Sequence, residues 1–170
     1  MEKTFAVLNQ MVADGAIENY ALAGAIGAIF YVEPFSTKDI DVFVITPNAE
    51  RRLVIELPGW EYLKAHGYDE LRKEGIMIEG WPVQFMPVAN ALEREAYVNA
   101  QEKDVEGVRV RIVLPEHLVA IMLKVGRLKD LARVEMFLSQ RAVDLESLED
   151  ILQRHGLSDK FAEYKKRFAQ

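Results

Sequence analysis

Asp39 and Asp41 are the residues of this chain best spaced for chemistry. They open an apolar run, Ile40 to Ile45, in which Ile40, Val42 and Val44 alternate with Asp41, Phe43 and Ile45. The alternation predicts a strand. A period of two then puts both carboxylates on one face, roughly 6–7 Å apart. Two like charges so placed repel unless something positive lies between them. Magnesium takes one or two protein carboxylates together with substrate phosphate oxygens, so the pair suits a metal-bridged phosphate site. Phe43 and Ile45 share the face of Asp41, which argues that this face is not generally solvated. The competing reading is structural: Asp39 caps a turn, and Asp41 stands on the open side of a half-exposed strand.

Gly24 is the second candidate. It lies between a short apolar strand, Tyr20 to Ala23, and an apolar segment read as a helix, Ala25 to Val32. Glycine there allows a positive φ and lets a phosphate approach the backbone. The start of the following helix offers free N–H groups and the positive end of its dipole. The alternative is that Gly24 and Gly27 serve only close packing.

Taken together, these residues resemble the nucleotidyltransferase superfamily with the polymerase-beta-type fold. The resemblance is carried by Tyr20-Ala-Leu-Ala-Gly-Ala-Ile-Gly-Ala and by Ser36-Thr-Lys-Asp-Ile-Asp-Val-Phe-Val. A later block, Leu114-Pro-Glu-His-Leu to Lys124 and Arg127-Leu-Lys-Asp, is similar to the helical half of the AbiEii-like toxin branch. The match spans roughly residues 17–135. It implies an α+β fold: a small mixed β-sheet flanked by helices, followed by a C-terminal helical segment. It also implies NTP binding with Mg2+, the NTP being foremost ATP. Transfer of a nucleoside monophosphate to a hydroxyl on protein, RNA or a small molecule would follow. Asp39 and Asp41 would be the catalytic and metal residues; Gly24, Ala25, Lys38, Lys124 and Arg127 would bind nucleotide.

Three departures weigh against full activity. The family's second small residue is Gly or Ser, and here it is Ala25, which offers phosphate only its backbone N–H. The family often has arginine before Asp-x-Asp, where this chain has Phe35. Active members carry a third carboxylate on a neighbouring strand, and the matching strand, Pro82-Val-Gln-Phe-Met, has Gln84 there. Glutamine is neutral and cannot act as a general base. The alternative function is therefore a catalytically degenerate binding module of this fold, or a toxin–antitoxin component with a protein partner.

Lys124 and Arg127, three residues apart, are expected to share one helix face. Lys supplies a point charge and Arg a planar fork for phosphate oxygens. The plainer reading makes them solvated charges beside a leucine stripe, with Asp130 paired to Arg127 or Arg133. His66 and His155 each precede a glycine and read as helix C-terminal residues. Trp60 and Trp81 either pack the core edge or stack on a base. Arg109 and Arg111 line either the cleft or the surface, and Glu79 sits in a hairpin turn.

The elements that must position these residues follow from periodicity. Phe5, Val7, Leu8, Met11 and Val12 predict a helix over residues 4–12. Strands are expected at residues 75–78 and 83–86 around Gly80-Trp81-Pro82, and a single extended run at 105–114. Ala89 to Ala100 reads as a helix, and Ala49 to His66 as helical at its ends. After Pro115 the pattern is helical, with apolar spacing through Leu118, Ile121, Met122 and Val125 and then Leu128, Leu131, Met136 and Leu138. The division expected is an α/β core over residues 1–114 and a helical segment over 115–170 packed on it as one unit.

Composition narrows the functions. The 170 residues are 50% hydrophobic and 28% charged, ordinary values for a folded domain. There is no cysteine, which removes disulfides, thiol catalysis and sulfur-ligated zinc. The net charge of -6 argues against duplex DNA as a partner. Residues 1–116 hold 11 Lys and Arg against 19 Asp and Glu; residues 117–170 hold 10 against 8. The most apolar run, Ala21 to Val32, falls short of the ~20 residues that span a bilayer. A cytoplasmic location without membrane attachment is the expectation.

Overall fold

The computed structural model describes residues 1–45, 59–72 and 75–168. The expected helix over 49–66 falls largely outside them. Only its end is described, as the short helix α3 below.

Along the chain come α1 (Glu2–Ala13), β1 (Tyr20–Leu22), α2 (Gly24–Ala28), β2 (Ile40–Val44) and α3 (Trp60–Ala65). Then follow β3 (Leu71–Arg72), β4 (Gly75–Ile78), β5 (Trp81–Pro87), α4 (Ala91–Val98), β6 (Gln101–Val105) and β7 (Val108–Ile112). Four helices close the described chain: α5 (Pro115–Val125), α6 (Leu128–Ser139), α7 (Leu145–Arg154) and α8 (Ser158–Phe168). The strands form one mixed sheet in the order β3-β4-β5-β2-β1-β7-β6. β2 pairs antiparallel with β1 and parallel with β5; β1 runs parallel to β7. Two hairpins, β4–β5 and β6–β7, complete it.

Strand parity sorts the core into two layers. Tyr20, Leu22, Ile40, Val42, Val44, Val83, Phe85, Val110 and Ile112 face α1 and α3, packing with Phe5, Leu8, Met11 and Leu63. Ala21, Ala23, Phe43 and Val113 point the other way, into a layer built from α4 to α8. The face of β2 that carries Asp41 and Phe43 is thus covered by the C-terminal helices. Burial on both faces explains why β2 reads as a near-continuous apolar run interrupted by one carboxylate.

Several elements differ from the sequence reading, among them the helix expected at Ala25–Val32, which is the shorter α2. The extended run at 105–114 is a hairpin: Glu106 and Gly107 both adopt positive φ, +53° and +85°, and join β6 to β7. Two consecutive positive-φ residues make the turn that matches strand twist, and Glu-Gly signals it more weakly than Asn-Gly. Lys124 and Arg127 do not share a helix face. Gly126, at φ +72°, caps α5, and Arg127 is the N-cap of α6. The buried stripe of α6 is Asp130, Val134 and Phe137, and Leu128 is 73% exposed. Among the described residues no helix is long and apolar enough to cross a membrane.

Candidate functional site

Asp39 and Asp41 open onto a cleft of about 250 Å³ between the sheet and the helical layer. Its floor is Asp39, Asp41 and Phe43 from the β2 strand and its approach, with Gln84 and Met86 from β5. Gln84 stands directly beside Asp41 in the parallel register. One rim is the β1–α2 turn, Ala23, Gly24 and Ala25. The opposite rim is the α5–α6 corner with Arg127, Lys129, Asp130 and Arg133. Leu118, Ile121, Met122 and Val125 of α5 form an apolar wall, and Glu93 of α4 closes one side.

The β1–α2 turn is fitted to Asp41. Gly24 has φ +55°, and a Cβ built on it would collide with Asp41 Oδ2 and lie 2.8 Å from Asp41 Cγ. Glycine is required twice there, by the backbone conformation and by the carboxylate packed against it. Gly27 serves packing: a Cβ there would stand 3.1 Å from the Leu22 carbonyl and 3.4 Å from Leu118 Cδ2.

The electrostatics fit a cation. Burial, reinforced by the neighbouring Asp39, raises the Asp41 carboxyl from 3.8 to about 6, even though Arg127, Lys129 and Arg133 pull the other way. A carboxylate so raised is short of compensating charge. The donor set is hard oxygen from two carboxylates, with room beside it for substrate oxygens, which suits magnesium. The residues present therefore fit the ion that the resemblance implies.

Across the cleft, Asp130 is buried, its side chain 3% exposed, and holds two arginines. Arg127 donates to it from Nε at 2.6 Å and from Nη2 at 3.2 Å, and Arg133 from Nη1 at 3.3 Å. Arg133 also stacks over the Phe35 ring, 5.1 Å from its centroid. Phe35, where the family often has arginine, thus supports an arginine delivered from α6. Asp130 and Asp39 and Asp41 together raise the affinity of the Arg127 guanidinium for its proton, with the Asp130 hydrogen bond the largest cause.

Of the sequence candidates, Asp39, Asp41, Gly24, Ala25, Gln84 and Arg127 meet at this cleft. Lys38 and Lys124 are exposed and do not line it. The α5 terminus turns Lys124 away, and its carbonyl accepts from Lys160 Nζ at 2.9 Å. Trp60 and Trp81 pack against the α1 layer, on the far side of the sheet from this cleft. Glu79 sits in its turn and accepts from the Tyr68 hydroxyl at 2.7 Å. Arg111 donates to the Tyr97 carbonyl at 2.8 Å, and Arg109 is 83% exposed. His66 and His155 are helix C-caps. His117 is buried beside Glu95, 3.2 Å away. Sequence reasoning missed Glu93 and the pocket-facing Lys129 and Arg133. The last two had a signal in the Arg127-to-Arg133 charge spacing, whereas Glu93 had none until α4 was folded over the sheet.

No protein-family model and no curated protein matches the chain. Solved structures do. It is similar to the crystal structure of ANT(2")-Ia in complex with adenylyl-2"-tobramycin, at TM-score 0.52 and 14% identity over 95% of this chain and 94% of that one. A solution structure of the same antibiotic-resistance factor gives 0.50 and 16% over 98% of each. The crystal structure of an antigenic nucleotidyltransferase-like protein from Paracoccidioides brasiliensis gives 0.53 and 14%, over 94% and 92%. At these identities the likeness is one of fold. The mixed sheet with its flanking and C-terminal helices is the nucleotidyltransferase-like fold.

Proposed function

We propose that the cleft binds a nucleoside triphosphate, foremost ATP, with magnesium, and transfers its nucleoside monophosphate to a hydroxyl. The observation that carries this reading is the pairing of Asp41 with the Gly24 turn opposite Arg127, Lys129 and Arg133. Asp39 and Asp41 would hold magnesium, which supplies charge neutralisation and activation of the acceptor oxygen when bound. The Gly24–Ala25 backbone amides would receive phosphate oxygens. Arg127, with Lys129 and Arg133 behind it, would stabilise negative charge building on the departing pyrophosphate. The apolar wall of Leu118, Ile121, Met122 and Val125 would offer an apolar surface to a base or an acceptor. ANT(2")-Ia, whose fold is similar, was solved in complex with adenylyl-2"-tobramycin, which makes a small hydroxyl compound the first acceptor class to test.

One observation favours a second reading. Gln84 lies next to Asp41 on β5, and no group of three or more metal-ligating side chains forms among the described residues. A binding module that keeps the nucleotide pocket without fast transfer, or a toxin–antitoxin component of the AbiEii-like kind, fits that substitution. Incubation of the protein with α-labelled ATP and magnesium separates the two, with tobramycin, tRNA or lysate proteins as acceptors. Labelled acceptor from the wild type supports transfer. Labelled acceptor from Gln84→Asp alone supports the degenerate module. ATP that fails to bind at all refutes both.

A further inference from the structure

We infer that Glu93 takes the proton from the attacking hydroxyl, the part that Gln84 cannot play. The inference rests on reading the cleft as a site of nucleotidyl transfer. Four carboxylates line that cleft: Asp39, Asp41, Glu93 and Asp130. Asp39 and Asp41 are the pair suited to metal. Asp130 is buried and committed to Arg127 and Arg133. Both of its oxygens already accept from guanidinium groups, Oδ2 from Arg127 and Oδ1 from Arg127 and Arg133. Glu93 is the one that remains, and it is half-buried at the side of the cleft.

Its position is fixed by the start of α4. The Asn90 side chain caps the helix by accepting from the Glu93 amide at 3.2 Å, and Glu93 Oε2 reaches back to accept from the Ala89 amide at 2.9 Å. This is a capping-box-like arrangement, which locks the rotamer. Among the described residues Oε1 accepts no hydrogen bond, and Glu93 lines the cleft. One oxygen anchors the side chain and the other is available.

The step balances without another reagent. The acceptor hydroxyl gives its proton to Glu93 Oε1 as its oxygen forms a bond to the α-phosphorus. The bond from that phosphorus to the bridging oxygen breaks, and pyrophosphate leaves with the electron pair. Positioned proton acceptors of this kind contribute about 10²–10⁴-fold to rate.

The test compares the full-length wild type with Glu93→Gln and Glu93→Asp. Gln keeps an acceptor for the Ala89 amide and removes the basic oxygen. Calorimetry with ATP and magnesium reads binding. Pyrophosphate release from ATP, together with labelled AMP (water as acceptor) or labelled adenylyl-tobramycin formed from α-labelled ATP, reads transfer. Melting temperature confirms folding. The expected result is unchanged nucleotide affinity and turnover reduced by at least about 100-fold in Glu93→Gln. Glu93→Asp, which keeps a carboxylate one methylene shorter, should recover part of the rate. Wild-type turnover in Glu93→Gln overturns the inference. So does a wild type that binds ATP with magnesium yet releases no pyrophosphate, which leaves the nucleotide-binding reading standing. A wild type that does not bind ATP refutes the nucleotide reading itself.

Discussion

The Asp41 carboxylate occupies the space in which any side chain on Gly24 would stand. The turn that would cradle phosphate and the carboxylate that would hold metal are therefore one packed unit, built by adjacent antiparallel strands. Gly24→Ala should break it. The positive φ alone costs about 1–3 kcal/mol in a residue with a Cβ, and the displaced Asp41 adds to that. Thermal unfolding should fall by at least about 5 °C for a chain of this size, and ATP binding should be lost with it. A variant that melts and binds like the wild type would show that the turn has slack.

Asp41→Asn should stabilise the metal-free protein. The carboxyl is raised to about 6 by burial and by Asp39. At pH 8 the fold therefore carries an ionised group that it disfavours. Removing that charge should add about 3 kcal/mol, at 1.36 kcal/mol for each pKa unit. Urea unfolding at pH 8 without magnesium measures it. A less stable variant would mean that the three basic groups opposite outweigh the burial.

Glu95 gives the pH dependence of the helical layer. Its oxygens accept from Arg154 at 2.6 and 2.8 Å, and His155 and His117 stand 2.7 and 3.2 Å away, tying α4 to α5 and α7. The Arg154 hydrogen bonds, followed by those of the two histidines, hold its carboxyl well below the usual 4.5. A depressed folded-state pKa means that the unfolded chain binds the proton first. The stabilisation is thus complete above 4.5 and is lost as pH falls below it. Glu95→Gln should cost about 1–3 kcal/mol at pH 7 and flatten the loss of stability between pH 5 and 3. An equally steep acid limb in the variant would place the acid sensitivity elsewhere.

Much of this site was legible along the chain, and the reason is local. Asp39 and Asp41 follow from strand parity, and Gly24 from its place between an apolar strand and an apolar segment. Phe43 on the Asp41 face pointed to a covered surface, which the helices from α4 onward supply. The misread parts depend on tertiary contacts or on single backbone angles. Gly126 ends α5 and sends Lys124 away from Arg127 through one left-handed residue. Asp130 sits on the buried stripe of α6, where periodicity favoured leucine, because two arginines neutralise it. Glu93 belongs to the cleft only because α4 folds back over β2 and β5, and no local pattern encodes that return.

Gln84→Asp should strengthen magnesium binding by roughly tenfold, the effect of about 1.4 kcal/mol of added attraction at a solvent-exposed position. It places a carboxylate beside Asp41 in the parallel register. Titration with magnesium, read by calorimetry, checks it. Unchanged affinity would mean that position 84 does not reach the ion.

The central claim is that Asp39 and Asp41 bind nucleotide through a divalent cation, and calorimetry with ATP and magnesium tests it most directly. The wild type should bind, and excess EDTA should abolish binding. Asp39→Asn/Asp41→Asn should lose at least about tenfold in affinity, or 1.4 kcal/mol, while melting at the wild-type temperature or above. Wild-type affinity in that double variant, with or without magnesium, would contradict the account.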